Sequence, residues 1–282
     1  MRFGIINFGN ICFLNSTLQF LFSMDLLVKD LIELEMFKNF IPDLLKHLDD
    51  VKSKNSLESK NSLESKDPHE IYDHYCKINL NCIKGSQEDA EECLTFFLDF
   101  FSDQKIYHSY KIVLKQYIIR LDKDVNSKER FSCSIVKENL LRVNVSNSLE
   151  ESIKIYLVDD FDDNDKITKK YKISIFPQYL CISVKRFFKS FEKGNCILHK
   201  NNEPMKIPFI LNIDYFTYKL IGFIFHYGNI ESGHYVYFGL IKQNNEESWF
   251  VFNDHLVNPI STKDIEEISK QGYIYLYSMI EN

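Results

Sequence analysis

The sequence from position 4 to position 16 reads Gly4-Ile5-Ile6-Asn7-Phe8-Gly9-Asn10-Ile11-Cys12-Phe13-Leu14-Asn15-Ser16. Gly9 and Asn10 are turn-forming residues, and apolar residues recur at helical spacing after Cys12, so we expect a helix that begins at this cysteine. Backbone N–H groups and the positive end of the helix dipole stabilise a thiolate at such a position. Cys12 is therefore a candidate nucleophile, although free cysteines more often serve as small buried core residues.

Asn7 lies upstream of Cys12, on the other side of the glycine-containing turn. A side-chain amide in this place can donate a hydrogen bond to an oxyanion, which an aliphatic side chain cannot do. Asn7 is therefore a candidate oxyanion donor.

The candidate proton acceptor for this thiol is His234, which stands at the entrance of a predicted β-strand, directly after Gly233. The small Gly233 leaves room for a peptide to pass. A lone histidine is usually structural, but here the aromatic stretch Trp249–Phe252 follows and ends in Asn253 and Asp254. Either side chain can accept an imidazole N–H, and strand alternation predicts that only one of them faces the ring.

Four blocks of the sequence, in matching order, resemble the motifs of the ubiquitin-specific proteases. The first block runs from Asn7 to Leu21 and resembles the cysteine box N-x-G-N-x-C-[FY]-x-N-S, followed by x-L-Q-x-L, with Ile11 where the family usually has Thr. The other blocks start at Gln87 (similar to Q-Q-D-A-x-E-F-L), at Phe176 (similar to L-P-x-x-L-x-I-x-L-K-R-F) and at Gly233 (similar to the histidine box G-H-Y with W-[FY]-x-F-N-D-x-x-V).

This resemblance implies an α+β, papain-like cysteine protease fold with a helical thumb, a β-sheet palm and a reduced finger region. It also implies a thiol-dependent deubiquitinase that hydrolyses the isopeptide or peptide bond after the ubiquitin C-terminus. Two alternatives stay open: a protease for a ubiquitin-like modifier such as SUMO or NEDD8, and a ubiquitin-binding pseudoenzyme. The presence of Cys12, His234 and Asn253 together argues against the pseudoenzyme.

The resemblance implies a role for each site residue. Cys12 is expected to be the nucleophile and His234 the base, with Asn253 orienting the imidazole and Asp254 acting near the oxyanion or a bound water. The substrate-binding candidates that it implies are Asp89, Glu92, Gly233 and Tyr235. Asp89 is expected to meet a basic residue in the tail of ubiquitin.

We expect a single catalytic domain over residues 1–282, with a helical thumb over about 1–110 and the fingers and palm over about 111–282. A low-complexity insert at about 52–66 interrupts the thumb, because Lys54–Ser59 is repeated identically as Lys60–Ser65. Such a polar repeat is typical of a disordered loop. Segments rich in β-branched and aromatic residues follow Tyr110 and predict strands.

Two acidic segments allow more than one interpretation. After Gly85, either Ser86 or Gln87 is expected to cap a helix, and the acidic residues in its first turn can compensate the helix dipole or bind substrate. The run Asp159–Asp165 lacks the glycine and the distal glutamate of an EF-hand loop, which favours an acidic hairpin tip over a calcium site.

Composition narrows the choice of partners. The formal charge of −6 provides no electrostatic footprint for nucleic acid or an anionic membrane. The seven cysteines contain no C-x-x-C pair, so we expect neither a disulfide framework nor the zinc that the fingers of the resembled family often carry. Composition therefore predicts an intracellular protein, in cytoplasm and/or nucleus, without a metal or cofactor. The resemblance implies that its partner is ubiquitin or ubiquitinated proteins, and we expect a monomer.

Overall fold

A computed structural model describes residues 3–31, 34–37, 65–103, 109–120, 130–158, 160–162, 167–192, 194–229, 232–243 and 246–280. The contacts between residues divide the chain into two units. The first contains Met1–Ser109 and Ile221–Ile274, and the second contains Tyr110–Leu220 and Tyr275–Asn282.

The helices are α1 (Cys12–Phe22), α2 (Asp25–Leu31), α3 (His69–Ile78), α4 (Ala90–Asp103), α5 (Leu149–Val158) and α6 (Thr262–Ser269), with a 3₁₀ turn at Glu35–Phe37. The strands are β1 (Ile112–Arg120), β2 (Arg130–Glu138), β3 (Leu141–Val143), β4 (Asp160–Asp162), β5 (Ile167–Ile175), β6 (Tyr179–Val184), β7 (Phe187–Glu192), β8 (Asn195–Lys200), β9 (Ile210–Ile213), β10 (Phe216–Gly228), β11 (Gly233–Gln243), β12 (Glu246–Asn253), β13 (Leu256–Ile260) and β14 (Ile274–Met279).

Helix α1 is the centre of the first unit, because every one of its residues is buried. It packs against α4 and β11. Its polar side chains are buried with partners: Gln19 donates from Nε2 to the carbonyl of Phe3 over 2.8 Å, which ties the N-terminal segment to the helix. A helix that is buried on all sides gives its first residue, Cys12, a fixed position.

Aromatic side chains fill the space between α3, α4 and the 3₁₀ turn. Tyr75 of α3 stacks on Phe97 of α4 with ring centroids 5.7 Å apart, and Phe37 lies 6.1 Å from Phe97 and 6.0 Å from Phe101. The inner face of α4 is apolar, since Leu94, Phe97 and Leu98 are all fully buried.

The sheet of the first unit contains β10 from Ile221 onward, then β11, β12 and β13, all antiparallel. The β10–β11 hairpin pairs Tyr227 with His234, and the β12–β13 hairpin pairs Asn253 with Leu256. His234 stands at the start of β11 and Asn253 at the end of β12. Because these two strands are antiparallel neighbours, both residues lie at the same end of the pair.

The second unit contains an antiparallel sheet of order β2-β1-β5-β4 and the hairpin β7–β8. Strand β6 lies between β14 and β3 and is parallel to β3. Arg186, which follows β6, is fully buried, and its guanidinium donates to the carbonyls of Asn201 (3.1 Å) and Glu203 (2.9 Å). This buried charge therefore joins β6 to the segment at 201–203.

Two local predictions differ from the structure, and one helix was not predicted. Neither Ser86 nor Gln87 caps α4; Asp89 does, because its Oδ1 accepts the backbone N–H of Glu91 at 2.7 Å. Lys66 does not belong to a disordered insert, since its backbone N–H donates to Gly4 and its carbonyl accepts from Ile6. These two hydrogen bonds pair Lys66 with the N-terminal segment. Helix α5 was not predicted. Most of the predicted insert, residues 52–64, lies outside the described residues. Of the acidic run Asp159–Asp165, residues 160–162 form β4, which pairs with β5, and the rest lies outside the described residues.

Candidate active site

The turn before Cys12 is held by Asn7. Its Oδ1 accepts the backbone N–H of Gly9 at 2.9 Å, which closes the turn, while Gly9 and Asn10 adopt positive φ of 127° and 58°. Glycine and asparagine tolerate this left-handed region best, which explains their place in the sequence. The N-cap residue Ile11 provides no side-chain acceptor, so the first N–H groups of α1 remain directed at the region around Cys12.

The imidazole of His234 lies close enough to the thiol of Cys12 to interact with it. This contact is the largest of the effects that raise the pKa of His234 to about 9, the others being the hydrogen bond to Asn253 and the negative charges of Cys12 and Asp254. Burial opposes the shift without reversing it. The site therefore favours an imidazolium at neutral pH, which is the charge that stabilises a thiolate beside it.

Asn253 is the side chain that holds the imidazole. Its Oδ1 lies 2.7 Å from Nε2 of His234, whereas Asp254 Oδ2 lies 3.8 Å from the same atom. Because an amide oxygen can only accept, Nε2 is the donor, and Nδ1 is left as the ring nitrogen for the thiol proton. The structure thus places Asn253 where an orienting residue is needed.

Strand alternation predicted that only one of Asn253 and Asp254 faces the imidazole. In the structure Asp254 lies near the ring as well, with Oδ2 3.8 Å from Nε2 of His234. It lies in a turn just after β12 with a positive φ of 50°, so the alternation of the strand no longer applies to it. Its carboxylate accepts hydrogen bonds from Asn7 Nδ2 (2.9 Å) and Asn15 Nδ2 (2.7 Å). Asp254 therefore fixes the two amides on either side of Cys12 in sequence.

The amide of Asn7, the candidate oxyanion donor, is held at both ends. One N–H donates to Asp254, and the oxygen accepts the backbone N–H of Gly9. An amide nitrogen carries two N–H groups, so this orientation is compatible with one further donation.

Asn15 is a residue of the site to which the sequence assigned no function. It is almost fully buried and donates to Asp254. A signal was present in the sequence, since an asparagine on the inner face of an apolar helix needs a buried partner.

Asp89 is enclosed by hydrogen bonds from the protein itself. Tyr235 donates to its Oδ2 at 2.9 Å and Tyr273 to its Oδ1 at 3.0 Å, and the same Oδ1 caps α4. Burial raises the pKa of the Asp89 carboxyl, and this effect outweighs the hydrogen bonds, which lower the pKa. The structure therefore brings Asp89 and Tyr235 together, while the side chain of Glu92, one turn along α4, is exposed.

Gly233 has a structural reason to be glycine. A Cβ atom here would clash with the imidazole of His226 on the paired strand β10. The sequence predicted that the small Gly233 leaves room for a substrate peptide. On the side where a Cβ would project, His226 occupies that space. The part of Gly233 in substrate binding stays a prediction.

Neither a metal cluster nor a membrane-spanning helix occurs in the described ranges. No three His, Cys, Asp or Glu side chains among them are grouped to hold a metal ion. No helix built from those residues is both long and apolar enough to cross a membrane.

Comparison with known proteins identifies relatives of this site and fold. The chain is 24% identical to "Ubiquitin carboxyl-terminal hydrolase 36" of Drosophila pseudoobscura pseudoobscura, with 98% of this chain and 29% of that protein covered. It is 25% identical to "Ubiquitin carboxyl-terminal hydrolase 19" of Arabidopsis thaliana, with 99% and 46% covered. The chain thus spans less than half the length of these curated relatives.

Two solved structures have a similar fold. One is the SAGA DUB module of Ubp8, Sgf11, Sus1 and Sgf73 bound to monoubiquitin (TM-score 0.74, 22% identity, covering 99% of this chain and 69% of that one). The other is the SAGA Ubp8/Sgf11/Sus1/Sgf73 DUB module bound to ubiquitin aldehyde (TM-score 0.72, 21% identity, 99% and 70% covered). They confirm the predicted α+β, papain-like fold.

The family model "Ubiquitin carboxyl-terminal hydrolase" matches residues 3–277. This match contains all of the residues assembled around Cys12, and it confirms the resemblance found in the sequence motifs. The chain belongs to the ubiquitin carboxyl-terminal hydrolase family.

Proposed function

We propose that the protein is a thiol-dependent deubiquitinase that hydrolyses the isopeptide or peptide bond after the C-terminal residue of ubiquitin. The observation that carries the proposal is the chain of contacts from the Cys12 thiol to the His234 imidazole and on to Asn253 Oδ1 at 2.7 Å. Family membership and the ubiquitin bound in similar solved structures support the choice of substrate.

The first step is attack on the carbonyl carbon by Cys12. His234 has taken up the thiol proton before the attack, because its raised pKa of about 9 favours the imidazolium at neutral pH. Asn253 stabilises this form because its oxygen accepts the Nε2 proton without adding a charge. The sulfur–carbon bond forms while the carbonyl oxygen takes up the negative charge.

The oxyanion needs hydrogen-bond donors near Cys12. Asn7 is one candidate, because Asp254 and Gly9 hold its amide in a fixed orientation. Backbone N–H groups at the start of α1 are the other candidates. A preorganised donor is effective because it needs no reorientation when the charge appears.

The second half of the reaction uses the same histidine. The imidazolium of His234 donates its proton to the departing amine of the lysine or peptide, which leaves a thioester on Cys12. A water molecule, deprotonated by His234, then attacks the thioester and releases the ubiquitin carboxylate. The Cys12 sulfur leaves the carbonyl carbon, and His234 keeps the proton from the water as the imidazolium of the starting state.

The proposal is tested with fluorogenic C-terminal amides of ubiquitin, SUMO and NEDD8. We expect the kcat/KM for ubiquitin to exceed that for either modifier by at least about a hundredfold, which is the discrimination that several recognition contacts provide. Faster hydrolysis of SUMO or NEDD8 would assign the protein to that modifier. Ubiquitin binding without any hydrolysis would make it a pseudoenzyme.

A further inference from the structure

Two cysteines that the proposed mechanism does not use lie in contact with each other. Cys76 is on α3 and Cys82 is in the segment after it, and their Sγ atoms are 2.8 Å apart. Both residues are half-buried rather than enclosed in the core. The separation is about 0.8 Å more than the bond length of a disulfide, roughly 2.05 Å, so the two sulfurs need only a small movement to bond.

The surroundings of this pair connect it to the turn before Cys12. The hydroxyl of Tyr72 contacts Cys76 and accepts the backbone N–H of Gly85 at 2.7 Å. The carbonyl of Gly85 in turn accepts a hydrogen bond from Asn10 Nδ2 at 2.9 Å. The segment 79–85 is therefore held between α3 and the turn that positions the nucleophile.

We propose that Cys76 and Cys82 form a redox modification site, a thiol pair that an oxidant of the peroxide class converts reversibly into a disulfide. One sulfur attacks a peroxide oxygen and becomes a sulfenic acid, releasing water in the case of hydrogen peroxide. The second sulfur attacks the sulfenic sulfur, the S–S bond forms, and a second water leaves with the thiol proton. Two electrons pass from the sulfurs to the peroxide, and a dithiol reductant reverses the change.

The two cysteines have different parts in this reaction. Burial, with the neighbouring Cys76 and Glu88, raises the pKa of the Cys82 thiol to about 12. A thiol with a raised pKa is the poorer first nucleophile toward peroxide, because the thiolate is the reactive form. We therefore expect Cys76 to attack first and Cys82 to close the disulfide.

Oxidation ties the segment 79–85 to α3 by a covalent bond. The hydrogen bond from Gly85 N–H to Tyr72 and the one from Asn10 to the Gly85 carbonyl then have less freedom to open, because Cys82 can no longer move away from Cys76. The site is thus a means of fixing the segment against the nucleophile turn, separate from oxidation of the catalytic thiol.

The test uses the full chain carrying Cys12→Ala, so that the nucleophile does not consume peroxide. After mild peroxide treatment, remaining thiols are alkylated and the protein is digested with trypsin. Cleavage at Lys77 separates Asp67–Lys77, which contains Cys76, from Ile78–Lys84, which contains Cys82. We expect these peptides to be joined by a disulfide that dithiothreitol opens, and amide exchange over residues 79–85 to slow by at least about threefold.

Two variants in the same background provide controls. Cys76→Ser should abolish the linked peptides and the slower exchange, whereas Cys196→Ser, which removes an exposed thiol of β8, should leave both unchanged. Separate alkylation of Cys76 and Cys82 after peroxide treatment would overturn the proposal, as would a disulfide from either of them to another cysteine. If Cys76→Ser does not fold, the peptide map of the Cys12→Ala chain decides alone.

Discussion

Tyr235 donates a hydrogen bond from its hydroxyl to Asp89 Oδ2 over 2.9 Å, although 146 positions separate the two residues. Tyr235 directly follows His234 on β11, and Asp89 caps α4. One carboxylate thus connects the strand that carries the base to a helix packed on the nucleophile's helix. Asp89, which the sequence predicts to bind a basic residue of the substrate, therefore also stabilises the fold from inside.

Replacing Asp89 with Asn should raise KM more than it lowers kcat, because we expect its charge to attract an arginine in the ubiquitin tail. In the variant the amide N–H₂ of residue 89 replaces one carboxylate oxygen, so one of the hydroxyls of Tyr235 and Tyr273 loses its acceptor. The free energy of unfolding should therefore fall by about 1–3 kcal/mol. Steady-state kinetics and thermal unfolding measure the two effects, with Asp99→Asn, at an exposed aspartate of the same helix, as the matched control. If an arginine-substituted ubiquitin loses as much rate with the variant as with the wild type, Asp89 has only the internal function.

Asn253→Ala should lower kcat by roughly 10- to 1,000-fold, because the imidazole loses the acceptor that orients it. Asn253→Asp should keep much of the rate, since a carboxylate accepts the same hydrogen bond. Single-turnover kinetics with fluorogenic ubiquitin compares the two.

Asp254→Ala is the counterpart, and it should act through Asn7 and Asn15, the two amides that donate to this carboxylate. We expect a loss of kcat and a shift of the basic limb to lower pH that is smaller than in Asn253→Ala, because the charge of Asp254 contributes less to the raised pKa of His234 than the Asn253 hydrogen bond does. Near-full activity of Asn253→Ala, together with a larger shift of the limb in Asp254→Ala than in Asn253→Ala, would show that the orienting residue is Asp254.

The basic limb of the kcat/KM profile should fall near pH 9, where His234 loses the proton that pairs with the thiolate. The Asn253 hydrogen bond contributes to the raised pKa, so Asn253→Ala should move this limb to lower pH. A limb that stays in place in the variant would contradict the assignment.

The same shift affects stability, because the folded state holds the His234 proton more tightly than the unfolded chain does. This contribution is fully present below the unfolded pKa of about 6.5 and is lost as the pH rises through about 9. Unfolding of wild type and His234→Ala by urea between pH 6 and 10 should therefore differ less at the alkaline end.

Strong chelators should change neither the activity nor the melting temperature. The sequence lacks C-x-x-C pairs, and folding that depends on zinc would be lost on chelation. Activity assays and thermal unfolding with and without a chelator make the comparison, and stoichiometric zinc in elemental analysis would contradict the prediction.

Local sequence patterns predicted the elements that carry the chemistry. The turn before Cys12, the strand start at His234 and the strand end at Asn253 all agree with the structure, because turn residues and apolar periodicity act over a few neighbours. Features that depend on distant residues were not predictable in this way.

Three of these features have identifiable physical causes. The position of Asp254 depends on a left-handed turn and on its contact with Asn15, which is 239 residues away. The glycine at 233 is explained by His226 on a paired strand. Asp89 caps α4, and its buried carboxylate also accepts hydrogen bonds from Tyr235 and Tyr273, which lie far away in the sequence.

The central claim is that Cys12 is the nucleophile toward the ubiquitin C-terminus, and a ubiquitin probe with a C-terminal electrophile tests it most directly. We predict one covalent adduct in the wild type and in Cys133→Ser, mapped to Cys12 by peptide mass spectrometry. Cys12→Ala should form no adduct while still binding ubiquitin in a titration. An adduct on any other cysteine, or labelling that persists in Cys12→Ala, would contradict the assignment.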